Sequence, residues 1–224
     1  MQADWLSRER ALIGDEAVEN LRNASVAVFG LGGVGGAAVE GLARAGIENI
    51  TVIDHDVISL SNLNRQIITN VNNVGKFKTD EARQRILSIN PNVNVTVINE
   101  FVTKENVDSM MDADYVIDAI DTVTSKVCII EAALKRNLHI ISCMGTGNKL
   151  DPSKFKIADI SKTSMCPLAR VMRRELRGHN FDVLYSDEEP VDVETRTPAS
   201  ISFVPPVAGF MLAGYIIRRI INGN

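Results

Sequence analysis

The chain is 224 residues long, 45% hydrophobic and 23% charged, with a formal net charge of -4. That balance describes an ordinary soluble globular protein, long enough to bury a sizeable core. Its 3 cysteines, Cys128, Cys143 and Cys166, are too few and too widely spaced for a disulfide framework or a C-x-x-C zinc knuckle. The start, Met1-Gln2-Ala3-Asp4, has no basic region ahead of an apolar one, so no secretory leader is expected and the cytoplasm is the expected compartment.

After an N-terminal segment, the apolar, β-branched run Ser25-Val26-Ala27-Val28-Phe29 reads as a strand. It feeds Gly30-Leu31-Gly32-Gly33-Val34-Gly35, which fits G-x-G-x-x-G. Bare glycines at such a turn let backbone N–H groups and the positive end of the next helix approach phosphate oxygens. A helix is expected over 37–46, then a second short strand over 50–54 that ends in Asp54. A carboxylate there accepts hydrogen bonds from a ribose. This βαβ unit alone fits NAD, FAD or ATP equally well.

The next segment narrows that choice. Ser61-Asn62-Leu63-Asn64-Arg65-Gln66 places polar groups and a cation after the second strand, and Lys78 adds another cation. Ala82, Ile86 and Ile89 recur at helical spacing over 80–90, ahead of Pro91. Strands are expected over 93–98, 115–118 and 138–143, with a helix over 125–136 between the last two. Five strands with intervening helices predict an α/β, Rossmann-like, doubly wound and mostly parallel sheet covered by helices on both faces. Asp118 and Asp121 then fall at the carboxyl end of the fourth strand, the end at which open α/β sheets bind ligands. A carboxylate at that place can hold Mg²⁺ together with phosphate oxygens. Hydride transfer gains little from two cations and a metal acid, whereas displacement at phosphorus needs charge stabilised on the departing phosphates, so ATP is favoured over NAD.

Beyond Cys143 the charge segregates. From 149 to 179 there are eight Lys or Arg against three acids, in a chain whose total is negative. Arg170, Arg173, Arg174 and Arg177 fall at i, i+3, i+4 and i+7 of a helix opening at Pro167, with Leu168, Val171, Met172 and Leu176 on its other face. Such a stripe is either a solvated face or a contact for a phosphate backbone. The acidic run 182–194 that follows is expected to repel nucleic acid locally or to be a mobile loop. Residues 197–217 carry no charge, but Pro198, Pro205 and Pro206 interrupt them, leaving too few apolar residues to span a bilayer. A buried or subunit-interface C-terminal helix is expected, with no stable membrane insertion. Cys128 and Cys143 read as packing residues, while Cys166 precedes a helix start that favours a thiolate. The whole chain, 1–224, is expected to be a single domain: N-terminal helices over 1–24, a nucleotide-binding core over 25–145 and a smaller substrate and dimer extension of strands and helices over 146–224.

Gly30-x-Gly32-Gly33-x-Gly35, Asp54, Ser61-Asn62-Leu63-Asn64-Arg65-Gln66, Lys78 and Asp118-x-x-Asp121 together resemble the nucleotide site of the ubiquitin-activating-enzyme-like superfamily of adenylating enzymes. Within it, the downstream half is similar to the branch that dehydrates threonylcarbamoyladenosine in tRNA. The segments that carry this are Met144-Gly145-Thr146-Gly147-Asn148-Lys149, Cys166-Pro167-Leu168-Ala169, the arginine helix and Ser200-Ile201-Ser202-Phe203-Val204-Pro205-Pro206. The resemblance implies ATP and Mg²⁺ as cofactors, with Arg65, Lys78 and Asp121 as catalytic groups and Asp121 as the metal ligand. The glycines, Asp54, Asn62, Asn64, Arg65, Lys78, Asp118 and Asp121 are the implied nucleotide contacts. It also implies a homodimer in which Arg8 or Arg10 of one subunit reaches the other's phosphates, tRNA on the arginine stripe, and a cysteine desulfurase or sulfur-acceptor protein as a candidate partner. The rival function is activation of the C-terminal glycine of a ubiquitin-like sulfur carrier; the missing paired C-x-x-C zinc ligands of many such adenylyltransferases weigh against it.

Overall fold

A computed structural model describes residues 4–195 and 197–223; the stretch 1–3, read above for a leader, lies outside the described residues. Two short helices, α1 (Ser7–Ile13) and α2 (Asp15–Asn23), precede β1 (Ser25–Phe29), α3 (Gly35–Arg44) and β2 (Asn49–Ile53). A long crossover then leads to α4 (Lys78–Ile89), β3 (Asn94–Ile98), β4 (Tyr115–Asp118), α5 (Val123–Lys135) and β5 (His139–Cys143). The remaining elements are β6 (Phe155–Asp159), α6 (Pro167–Glu175), β7 (Asp182–Ser186) and α7 (Val204–Ile221).

The sheet has the order β3-β2-β1-β4-β5-β7-β6. All neighbours are parallel except the edge strand β6, which runs antiparallel to β7. The chain therefore forms the expected doubly wound α/β sheet, and the expected C-terminal extension of strands and helices supplies β7 and β6, whose positions the sequence does not mark. Strand order reverses between β1 and β4, and a crevice opens at the carboxyl ends of strands at such a switch point.

Alternation along the strands builds two apolar layers. Val26 and Val28 face one layer with α2, α3, α4 and α7, while Ala27 and Phe29 face the other with α5 and α6. Helix α7 runs against α3 at close range. A Cβ at Gly209 would stand 2.1 Å from the Val34 carbonyl oxygen, and one at Gly41 would stand 2.9 Å from Cβ of Ala213. Only bare backbone permits that approach, and it presses α3 onto the sheet behind the glycine turn.

Two expectations are corrected by the structure. Pro205 and Pro206 do not delay α7: they sit in its first turn, where no N–H partner is needed, and the helix reaches 18 residues. It meets the length and composition of a membrane span, yet half of it is buried in the fold. The acidic run is not a mobile loop throughout, because residues 182–186 form β7, in which Val183 and Leu184 are fully buried. Tyr215 and Arg219 meet Asp182, and Lys156 and Ser164 meet Asp187, so these charges have partners that the sequence order conceals.

Candidate active site

A cleft of about 520 Å³ opens at the carboxyl ends of β1, β2 and β4. Its floor is the turn after β1. Gly30 takes φ +84°, a left-handed conformation that favours glycine, and its N–H donates to the Ile53 carbonyl at 2.8 Å. Gly32, Gly33 and Val34 line the cleft next to the first turn of α3. Gly35 does not line it: a Cβ there would lie 1.7 Å from the Gly30 carbonyl oxygen, so Gly35 closes the turn rather than meeting a ligand.

Asp54, just past β2, is buried at the cleft edge. One of its oxygens accepts from Leu31 N at 2.6 Å and the other from Asp56 N at 2.8 Å. The carboxylate thus braces the glycine turn from below. Lys78 opens α4 with only 6% of its side chain exposed; its Nζ lies 2.5 Å from Asp56 Oδ2 and 3.8 Å from Asp54 Oδ2. Two carboxylates hold this ammonium at the cleft wall, and Asp56, which no motif singled out, is one of them.

Arg65 lines the cleft and donates to the Ser61 carbonyl at 2.9 Å and to Asn64 Oδ1 at 3.0 Å. Asn64 lies outside the lining; it steadies Arg65 and donates to the Ser200 carbonyl at 3.1 Å, so it acts on the site through other residues. Asn62 lines the cleft and caps its own short turn by accepting from Ser59 N. Asp121 lines it as well, exposed, and among the described residues its carboxylate accepts one weak hydrogen bond, from Thr122 Oγ1 at 3.5 Å. Asp118 is the clear correction. It is fully buried against Lys126, at 2.7 Å, and does not line the cleft.

Two polar atoms in the lining are buried without partners among the described residues: Gln66 Oε1 and Ser200 Oγ. An orphaned buried acceptor or hydroxyl is unfavourable by about 1–3 kcal/mol, and a polar ligand with matching donors relieves it. Glycine backbone, two cations, an uncommitted carboxylate and these orphaned atoms fit a nucleoside triphosphate with a divalent cation.

Opposite the glycine turn, the wall comprises Cys143, Met144, Gly145, Thr146, Gly147, Leu168 and the stretch 197–200. Burial pushes the Cys143 thiol up to about 12, so it stays protonated, and Cys166 is buried at the start of α6. Neither is displayed as a nucleophile.

The arginine stripe is less uniform than its spacing implies. Helix α6 ends at Glu175, so Arg177 lies beyond it. Arg173 is half-buried and donates to the Thr163 carbonyl at 3.1 Å, and Arg174 meets Glu175 at 2.6 Å. Arg170 and Arg177 are exposed. At the N-terminus, Arg10 is engaged by Asp4, Asp15 and Glu19, whereas Arg8 is exposed.

Residues 6–224 match the model of the ThiF family. The chain belongs to the ThiF family. A tRNA threonylcarbamoyladenosine dehydratase of Bacillus subtilis is 39% identical over 239 residues, covering 96% of this chain and 94% of that protein. The Escherichia coli protein of the same name is 38% identical over 82% of this chain and 69% of its own. Among solved structures, the Escherichia coli tRNA N6-threonylcarbamoyladenosine dehydratase in complex with ATP superposes with a TM-score of 0.92, at 32% identity over 97% of this ThiF-family chain and 94% of that one.

Proposed function

We propose that this ThiF-family chain is an ATP-dependent enzyme that dehydrates threonylcarbamoyladenosine in tRNA by adenylating its threonyl carboxylate. The observation that carries the reading is the convergence of Arg65, Lys78 and the uncommitted Asp121 on one cleft floored by glycine backbone. Relatives bearing that activity in their names, matched over almost the whole chain, support the choice of substrate.

The threonyl carboxylate attacks the α-phosphorus of ATP, the bond to the β-phosphate oxygen breaks, and pyrophosphate leaves. Arg65 and Lys78 stabilise the charge that accumulates on the departing phosphates, in a setting where fixed charges act more strongly than in water. Mg²⁺, when bound, neutralises phosphate charge, and Asp121 is the carboxylate that would hold it. The neighbouring carbamoyl oxygen then attacks the activated carbonyl, the carbamoyl nitrogen gives up its proton to solvent, and the acyl–oxygen bond breaks so that AMP departs with one former carboxylate oxygen. Because nucleophile and electrophile belong to one side chain, proximity supplies much of the rate and no enzyme nucleophile is required. The protonated, buried state of Cys143 is consistent with that economy.

Residues 25–145 act as the nucleotide core and 146–224 as the part that meets substrate and a second copy. In a homodimer, Arg8 is the N-terminal cation available to the partner's phosphates, since Arg10 is already held by three carboxylates. Arg170 and Arg177 are the stripe members best placed to meet tRNA phosphates, in the cytoplasm where ATP and tRNA coexist. Purified protein incubated with ATP, Mg²⁺ and tRNA bearing the modification is expected to form AMP while the nucleoside loses one water. AMP formed only when a small sulfur-carrier protein is supplied would overturn the reading.

A further inference from the structure

Below the cleft lies a charged pair sealed from solvent. Lys126 of α5 and Asp118 at the end of β4 are both fully buried, with Nζ 2.7 Å from Asp118 Oδ2. The same ammonium donates to Ser142 Oγ at 3.2 Å and to the Cys143 carbonyl at 2.9 Å, and Ser142 Oγ donates to Asp118 Oδ2 at 2.6 Å. Stability alone is a poor reason for such a pair, because desolvating two charges offsets most of their attraction and an apolar pair of equal shape often does as well.

The connections of the pair suggest another role. The second oxygen of Asp118, Oδ1, accepts from Ile120 N at 3.2 Å, so the carboxylate is bonded to Lys126 on one side and to the backbone leading into Asp121 on the other. The Cys143 carbonyl, held by the same ammonium, immediately precedes the Met144 to Gly147 wall of the cleft. Next to Lys126, Ser125 Oγ donates to the Val102 carbonyl at 2.7 Å and fastens a third part of the lining. One buried cation therefore ties the strand end that presents Asp121 to the strand end that begins the opposite wall.

We propose that Lys126 is a positioning residue for the adenylation reaction, acting through Asp118 and Ile120 to fix where the Asp121 carboxylate stands relative to the 144–147 wall. The inference rests on the adenylating reading of the cleft and deepens it.

The test is a cycle of variants. Lys126→Met with Asp118→Asn removes both charges together, keeps similar shapes and leaves an acceptor for Ile120 N. The double variant is expected to melt close to wild type and to bind ATP without Mg²⁺ with unchanged affinity. Its kcat should fall about 10- to 100-fold, the loss typical of a catalytic group displaced by about an ångström. Calorimetry should show the Mg²⁺-dependent gain in ATP affinity reduced, as it should also be in Asp121→Asn. In the Asp121→Asn background, adding the double substitution should lower kcat by less than about 2-fold, because groups acting as one unit do not lose activity additively. Wild-type kcat in a folded double variant, or losses that multiply in the Asp121→Asn background, would overturn the inference. If the double variant does not fold, Ser142→Ala loosens the same ammonium with a smaller perturbation, and the same cycle applies to it. A wild-type chain that forms no AMP would refute the underlying function before any variant is compared, so the two failures are distinguishable.

Discussion

Gly35 and Gly36 are adjacent and alike in sequence, yet the structure predicts opposite outcomes for alanine at each. A Cβ on Gly35 would lie 1.7 Å from the Gly30 carbonyl oxygen and 2.9 Å from its carbon. Comfortable carbon-to-oxygen contact needs about 3.3 Å, so roughly 1.5 Å must open between the end of β1 and the first turn of α3. That movement carries Gly32 and Gly33 away from the phosphates they are read to meet, and misplacement on this scale lowers productive binding or turnover about 100-fold. Overpacking of this kind also lowers stability by about 1–3 kcal/mol. On Gly36 the added carbon meets Ile68 at 3.6 Å, an ordinary contact, and alanine there stabilises α3 by about 0.4–1 kcal/mol. Calorimetric ATP titration and thermal melting of both variants measure the contrast. Wild-type ATP affinity in Gly35→Ala, or equal losses in the two variants, would refute the argument that the turn is closed by backbone contact at Gly35.

Lys78→Met removes a cation held between Asp54 and Asp56; kcat is expected to fall about 100- to 1,000-fold, as for the loss of one fixed donor at a developing charge, and an intact rate would exclude Lys78 from the phosphate site. Arg170→Ala and Arg177→Ala should weaken tRNA binding and each reduce its salt dependence by about one counterion, leaving ATP affinity unchanged. Arg173→Ala should instead lower the melting temperature, because its guanidinium is bonded to Thr163; filter binding and melting curves separate the two behaviours. Arg8→Ala should lose activity without loss of stability, and mixing it with Lys78→Met subunits should recover about a quarter of wild-type turnover, since half the dimers are mixed and each holds one intact site. No recovery on mixing would place Arg8 outside the partner's site. Cys143→Ala and Cys166→Ser should leave turnover within a few-fold of wild type; abolition by either would reinstate a thiol in the chemistry.

The sequence made the first two thirds of the sheet readable because β1, β2, β4 and β5 are continuous apolar runs of the kind that parallel strands buried on both faces require. The strands expected in the C-terminal extension had no legible positions, because Lys156, Asp159 and Asp182 break that pattern in β6 and β7 and the partners of Lys156 and Asp182 come from distant segments. The candidate site was legible where it lies in short motifs, since the glycine turn, Arg65, Lys78 and Asp121 all line one cleft. Spacing alone could not separate Asp118 from Asp121, although one is sealed beneath the cleft and the other faces into it. That distinction comes from Lys126, which lies in the first turn of α5 and is fully buried, and a buried lysine needs a buried acid. Likewise, i, i+3, i+4 spacing placed the arginines on one face but could not show that Thr163 would occupy Arg173.

The central claim is that the carboxylate itself is activated by transfer to AMP. Modified tRNA carrying isotopically labelled oxygen in its threonyl carboxylate, treated with the protein, ATP and Mg²⁺, tests this directly by mass spectrometry of the nucleotide products. One labelled oxygen in each AMP released, matched by one dehydrated nucleoside, is the predicted result. Label recovered in inorganic phosphate with ADP as the co-product, or dehydration with unlabelled AMP, would contradict the account.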